Sequence, residues 1–256
     1  MALTTKEFAP KKPWRRRAIV GGCAAAVVIV AAVGLSGHGS ETPPTDSAAA
    51  PTSTGDTTAA PTATPTTPKG SLVPQVPAAA KSPTDADWLT AAPQQISWQR
   101  VDGVPLPFSA SDGPSRIDGA VAEGYTRTPQ GATIAAIQIG MRLIFSPDFE
   151  TVVKRQTAVS DSEREQLIAA RSAQPTLPVD AVMATTMQPV GFKIGSYTDS
   201  DATIYFAYRG QGETNRIARM AVTWSDGDWK YTGRMAPEAP QLPDTPDLSA
   251  FTSLLT

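Results

Sequence analysis

Six side chains in the C-terminal half of this 256-residue chain are of the types that acid–base chemistry needs: Tyr205, Tyr208 and Tyr231 with Asp180, Asp199 and Asp201. A carboxylate can serve as a general base and a phenol can donate to a developing oxyanion, provided both converge in one dry pocket. Their positions favour a plainer reading. Asp199 and Asp201 fall in "YTDSD" (197–201), where Asp suits a hairpin turn for backbone reasons alone. The tyrosines occupy strand-like positions that suit aromatics in any case.

Arg127 and Thr128 are a second candidate, because an arginine beside the exposed N–H groups of a helix start can hold an anion. The economical alternative is that Thr128 is simply the helix cap. Gln138 and Arg142, one helical turn apart, are candidates to line a pocket or face a partner, as is Tyr205. An arginine at the edge of a core helix more commonly reaches solvent or pairs with an acid. With one cysteine (Cys23) and one histidine (His38), the chain alone builds neither a disulfide framework nor a Cys/His metal site. It also lacks a Ser/His/Asp set and a Gly-rich phosphate loop. The expectation is therefore no catalytic, cofactor-binding or metal residues, no cofactor and no enzyme.

The elements that must position these residues begin with a polarised N-terminus. Residues 1–17 carry Lys6, Lys11, Lys12, Arg15, Arg16 and Arg17 against Glu7, a net +5, so the total of −2 leaves −7 for the remainder. No basic nucleic-acid surface is implied. "AIVGGCAAAVVIVAAVGL" (18–35) is uncharged and apolar. At ~1.5 Å per residue it spans roughly 27 Å, enough for a bilayer core. The basic flank, with Lys11, Lys12, Arg15, Arg16 and Arg17 as orienting charges, places the N-terminus in the cytoplasm and the rest outside a cell membrane crossed once. A cleaved signal peptide also fits the basic head and small residues near "VGLSG", but the apolar run exceeds the ~7–15 residues of a signal core. "VGGC" resembles a lipoprotein box only superficially, because the apolar run continues past Cys23.

Residues 36–84 are rich in Pro, Thr and Ala and read as a disordered tether, biased toward extended polyproline segments and permissive of O-glycosylation. Order is expected over 85–240, with an entry segment across the domain at 84–101 and a fraying tail over 241–256. "GYTRTPQGATIAAIQIGMRLIF" (124–145) is the second strongly apolar stretch, yet it is too short before Arg142 to span a bilayer. Thr128 as cap, Pro129 at the first helical position and Ile134, Ile137, Met141, Ile144 and Phe145 at steps of three and four make it a core helix. Apolar residues on its other faces predict a helix covered nearly all round, with Thr133, Gln138 and Arg142 in polar surroundings.

"SPDFETVVKRQTA" and "SDSEREQLIAARSAQ" read as two further helices. The period then falls to two: "QPVGFKIGSYT", "DATIYFAYR", "NRIARMAVTW" and "DWKYTGRM" read as four antiparallel strands, with "SDGD" making Trp224 and Trp229 cross-strand partners. The expected fold class is α+β: helices packed on a curved antiparallel sheet of about four strands, behind a transmembrane helix and a tether.

That order of elements, with "GYTRTPQGA" leading into the core helix and "WSDGDWK" in the last hairpin, resembles the extracytoplasmic domains of bitopic proteins in actinobacterial conjugative elements. These are similar to the nuclear-transport-factor-2-like, or cystatin-like, components of type IV secretion machines. The resemblance spans roughly residues 85–240. It implies a non-enzymatic, membrane-anchored scaffold or interaction subunit of a conjugation or secretion complex in the envelope. Its partners would be the membrane, other proteins of the complex and a second copy of itself, with no direct contact to nucleic acid. The alternative it leaves open is a binding module whose cone-shaped cavity holds an apolar small molecule, a lipid or a cell-wall fragment. In some relatives that cavity is an active site with an Asp base and a Tyr or Asp donor, which is the role the six residues above would need.

Overall fold

The computed structural model describes residues 81–210 and 212–255. The expected span at 18–35, the orienting residues Lys11, Lys12, Arg15, Arg16 and Arg17, and the tether as far as residue 80 lie outside the described residues. Among the described residues no helix is long and apolar enough to cross a membrane.

Two hairpins precede the core helix. β1 (Ile96–Val101) pairs with β2 (Val104–Ser109) across a two-residue turn, Asp102 and Gly103, in which both φ angles are positive. This is the Asp-Gly hairpin turn that matches the natural twist of paired strands. The glycines and prolines of "DGVPLPFSASDGP" favour turns, yet β2 within it is a fully buried strand. Pro105 and Pro107 are two apart, so their missing N–H groups fall on one edge, and Pro107 directs its carbonyl away from β1 to the Gln138 amide at 2.7 Å. On that open edge the missing donors cost nothing. A shorter hairpin, β3 (Arg116–Asp118) and β4 (Val121–Glu123), follows.

α1 (Pro129–Phe145) is the core helix. The Thr128 side chain accepts from the Gly131 N–H at 3.0 Å, and Pro129 takes the first helical position. Every residue from 129 to 143 is buried, because the helix meets β2 and β4 on one side and the main sheet on the other. α2 (Phe149–Gln156) packs on α1 through Val152 and Val153. α3 (Asp161–Ser172) opens with a capping box between Ser160 and Glu163. A short helix, α4 (Val179–Thr185), then leads to the sheet.

The main sheet is antiparallel, in the order β8-β7-β6-β5-β9, with β5 (Gly191–Tyr197), β6 (Asp201–Arg209), β7 (Asn215–Ser225), β8 (Asp228–Tyr231) and β9 (Thr252–Ser253). Trp224 and Trp229 stand opposite each other across the β7–β8 turn, as their spacing predicts. The sheet therefore has five strands, and the expectation of about four is corrected. The fifth comes from residues read as a fraying tail: β9 pairs with β5, and Leu254 is buried beneath Trp98, whose indole donates to the Leu254 carbonyl at 3.3 Å. The cystatin-like expectation gives way with it, to a mixed α/β fold in which two hairpins cover the face of α1 opposite a five-stranded sheet.

Candidate functional site

The residues offered by sequence as a pocket-lining set do not meet. Arg127 is exposed, donates to the Asp199 carbonyl at 2.6 Å and lays its guanidinium 5.4 Å from the Trp224 ring centre. Gln138 and Arg142 are interior. The Arg142 Nε donates to Gln138 Oε1 at 3.0 Å and its Nη1 to the Ala120 carbonyl at 3.1 Å, so the pair ties both hairpins to α1. Burial pushes the guanidinium below its usual pKa, and the charge of Asp102 offsets that desolvation only in part. Tyr205 lies in a smaller, separate cluster with Ala207, Ile217 and Ala239, and its hydroxyl donates to the Pro240 carbonyl at 2.6 Å.

The acid–phenol set is dispersed too. Asp180, Asp199 and Asp201 are exposed, whereas Tyr208 and Tyr231 belong to the main core. Two acids that sequence reasoning passed over are the ones the fold draws in. Asp112, only 2% exposed, accepts from Ser109, Thr126 and Thr128 hydroxyls at 3.1–3.3 Å and from the Ser111 hydroxyl. Asp228 accepts the N–H groups of Gly124, Tyr125 and Trp229 at 2.7, 3.2 and 2.9 Å. Burial nonetheless outweighs those bonds and raises its carboxyl. Asp228 clasps backbone, and Asp112 gathers side-chain hydroxyls.

An aromatic chain secures the entry segment: Trp88 meets Tyr197 edge-on, Tyr197 meets Trp229, and Trp229 meets Trp224, with centroids 5.3–6.1 Å apart. Desolvation pushes the Tyr197 hydroxyl up to about 12 and also raises those of Tyr125 and Tyr208. A folded value above the unfolded one near 10 means the folded state resists forming phenolate. The tyrosine contribution to stability is therefore complete below pH ~10 and is lost as pH rises toward the folded values. In a spectrophotometric titration, Tyr125, Tyr197 and Tyr208 of the native protein should ionise at higher pH than in strong denaturant, where all five tyrosines should ionise near 10. Ionisation of all five near pH 10 in the native protein would contradict this packing.

What the surface does present is an apolar strip on the segment around α4. After α3, Pro175 and Pro178 turn the chain, and Pro178 begins a seven-residue helix that has no side-chain cap. Only Val182 of this helix is buried, while Leu177, Val179, Met183 and Met187 are each 39–53% exposed. The preceding α3 buries no residue fully. α4 is nevertheless fixed in place. The Thr186 hydroxyl lies 3.2 Å from the Gly103 carbonyl, and a side chain at Gly103 would stand 2.6 Å from the Val179 carbonyl. α4 thus carries Val179 and Met183, four residues apart, into solvent, and Leu177 and Met187 are exposed just outside its two ends. Methionine in such a strip adapts to varied partner shapes, and contiguous exposed apolar surface marks sites of association. The sequence signal was the run "LPVDAVMATTMQP", which periodicity alone does not divide into an inner and an outer face.

A family model described as "Domain of unknown function (DUF8175)" matches residues 63–253. No curated protein and no solved structure matches the chain.

Proposed function

The chain belongs to the DUF8175 family, and on that premise we propose that it is a non-enzymatic, membrane-tethered interaction subunit. Its outer domain docks to another protein of an envelope complex through the apolar strip of α4. The observation that carries this reading is the exposure of Val179 and Met183 on the seated helix α4, with Leu177 and Met187 exposed just before and just after it. Further support is that Gln138, Arg142 and Tyr205, the side chains suited to a ligand, are each bonded to a backbone carbonyl.

The anchor and its orientation rest on the apolar run 18–35 and the charges of residues 1–17. The conjugation or secretion setting rests on the resemblance carried by "GYTRTPQGA" and "WSDGDWK". A ligand cavity between helix and sheet has less in its favour. Ile134, Ile137 and Met141 are fully packed in the main core, and Met220 lies so close to α1 that its sulfur would sit 3.0 Å from a side chain at Gly140.

The test is affinity capture of the full chain from its native membrane fraction after cross-linking, comparing it with Met183→Asp. A charge in the strip should reduce the captured partner at least tenfold while the melting temperature of the variant stays unchanged, because Met183 is half exposed. Equal recovery by both proteins would sink the strip as the docking site. Capture lacking any transfer-apparatus protein would sink the conjugation setting alone.

A further inference from the structure

The hairpin that precedes α1 leaves one edge of its backbone unused. β1 pairs with β2 alone, in an unbroken register from Ile96↔Ser109 to Val101↔Val104. In a two-residue hairpin with positive φ at both turn residues, the residues flanking the turn exchange both bonds, and bonded and unbonded pairs alternate from there. Ser97, Gln99 and Val101 therefore bond β2, which leaves Pro105 and Pro107 where no donor toward β1 is needed. The backbone N–H and C=O groups of Ile96, Trp98 and Arg100 point away from β2, and among the described residues they have no partner.

The other strand edges are closed or blunted. β8 is met by the chain at Thr157, and the Ala158 N–H donates to the Tyr231 carbonyl at 2.8 Å. Where β7 runs past β8, Asn215 bonds Thr245 at 2.9 Å and the Ile217 N–H donates to Asp244 at 3.1 Å. Beyond Phe192, β5 carries Lys193 and shifts register between Ile194 and Ser196. The strands β3, β4 and β9 are at most three residues long. Short strands, lysines and bulges are the usual protections of an edge, and β1 has none: it is six residues of regular strand with one charge, Arg100, and no proline.

We propose that β1 pairs with β1 of a second copy of this chain, antiparallel about a two-fold axis at Trp98, so that the two hairpins become one continuous sheet. The strand is complementary to itself in this register. Trp98 faces the copy's Trp98, and Ile96 faces the copy's Arg100, as hydrogen-bonded pairs in which every outward backbone group finds a mate. Ser97 faces the copy's Gln99, a hydroxyl against an amide, and Arg100 meets no like charge. Trp98 is only partly buried on its own domain, where its indole donates to the Leu254 carbonyl. Two such rings beside the axis cover apolar surface that one copy leaves in water. This pairing goes beyond docking through α4 and does not depend on it.

The test is sedimentation equilibrium of the full chain in detergent. Ser97 and Gln99 are exposed, so substitutions there leave the domain folded. Ser97→Lys with Gln99→Lys sets lysine against lysine across the axis and should weaken the dimer at least tenfold, as should Ser97→Glu with Gln99→Glu. Mixing the two variants sets lysine against glutamate and should restore association as heterodimers. Arg100→Pro is a second probe, because it removes an N–H that β2 does not use and stands opposite Pro105; it too should weaken the dimer at least tenfold. A parent that stays monomeric at high micromolar concentration would overturn the proposal. So would a dimer indifferent to these substitutions, or a mixture of the charged variants that fails to associate.

Discussion

Replacing Asp112 with alanine should lower the stability of the folded domain by about 3 kcal/mol, a large effect for a polar substitution. The carboxylate is 2% exposed and gathers four hydroxyls, those of Ser109, Ser111, Thr126 and Thr128, while the Gln94 N–H lies 3.4 Å away. Alanine removes the acceptor these hydroxyls share; Ser109 keeps the Gln94 carbonyl at 2.7 Å, and Thr126 and Thr128 keep each other at 2.8 Å, while each bond not replaced costs ~1 kcal/mol or more. α1 has no acid in its first turn, and Asp112, sixteen residues before the Thr128 cap, supplies that negative charge through space. For a domain of this size the loss corresponds to a melting temperature lower by ~6–12 °C. Asp112→Asn keeps one acceptor oxygen and should cost about half as much. Denaturant unfolding of both variants in detergent-solubilised full chain is the measurement. A drop below ~1 kcal/mol for Asp112→Ala would show that the clasp is not a keystone.

The second large effect runs against helix propensity. Gly131→Ala places alanine, the best helix former, in the first turn of α1, where propensity alone argues for a gain of up to ~1 kcal/mol. The expected result is a loss of about 2–4 kcal/mol. A methyl group on Gly131 would meet the Thr126 carbonyl oxygen at 2.0 Å and its hydroxyl at 2.6 Å. Both groups are engaged: the carbonyl accepts the Trp229 indole N–H at 2.8 Å and the hydroxyl binds Asp112 at 3.1 Å. Relieving the clash displaces the clasp and the tryptophan together. Gly140→Ala, in the middle of the same helix, is the control. There the nearest atoms are the sulfur and terminal methyl of Met220 at 3.0 and 3.3 Å, the flexible end of an adaptable side chain. That variant should match or slightly exceed the parent in denaturant midpoint. If Gly131→Ala is as stable as Gly140→Ala, the close approach of Thr126 to the helix is wrong.

Local pattern made part of this architecture legible. Thr128 and Pro129 marked the start of α1, the apolar residues on all its faces foretold enclosure, and "SDGD" placed Trp224 opposite Trp229. Two elements were misread for physical reasons that can be stated. β2 holds two prolines, which argue for turns unless the strand has an open edge, and that edge exists only because Gln138 comes to meet it. β9 is two residues long, and its pairing depends on Gly191, where a side chain would approach the Thr252 carbonyl to 2.9 Å. So short a strand has no period to detect, and without it the sheet was counted at about four strands.

The candidate site divides along the same line. Composition and charge were enough to set an N-terminal apolar run and a Pro/Thr/Ala-rich stretch apart from the rest of the sequence, because such properties are sums over residues and need no coordinates. Spacing was enough to define α1, because helix periodicity is a local property of the chain. What any polar or apolar side chain does was decided only by packing. Gln138 and Arg142 proved to be internal braces between α1 and the hairpins, Asp112 an interior clasp, and Met183 and Val179 an outward face. Burial and partnership depend on residues far apart in the chain, such as Asp112 with Thr128 or Thr90 with Thr252, and local sequence carries no record of those distances.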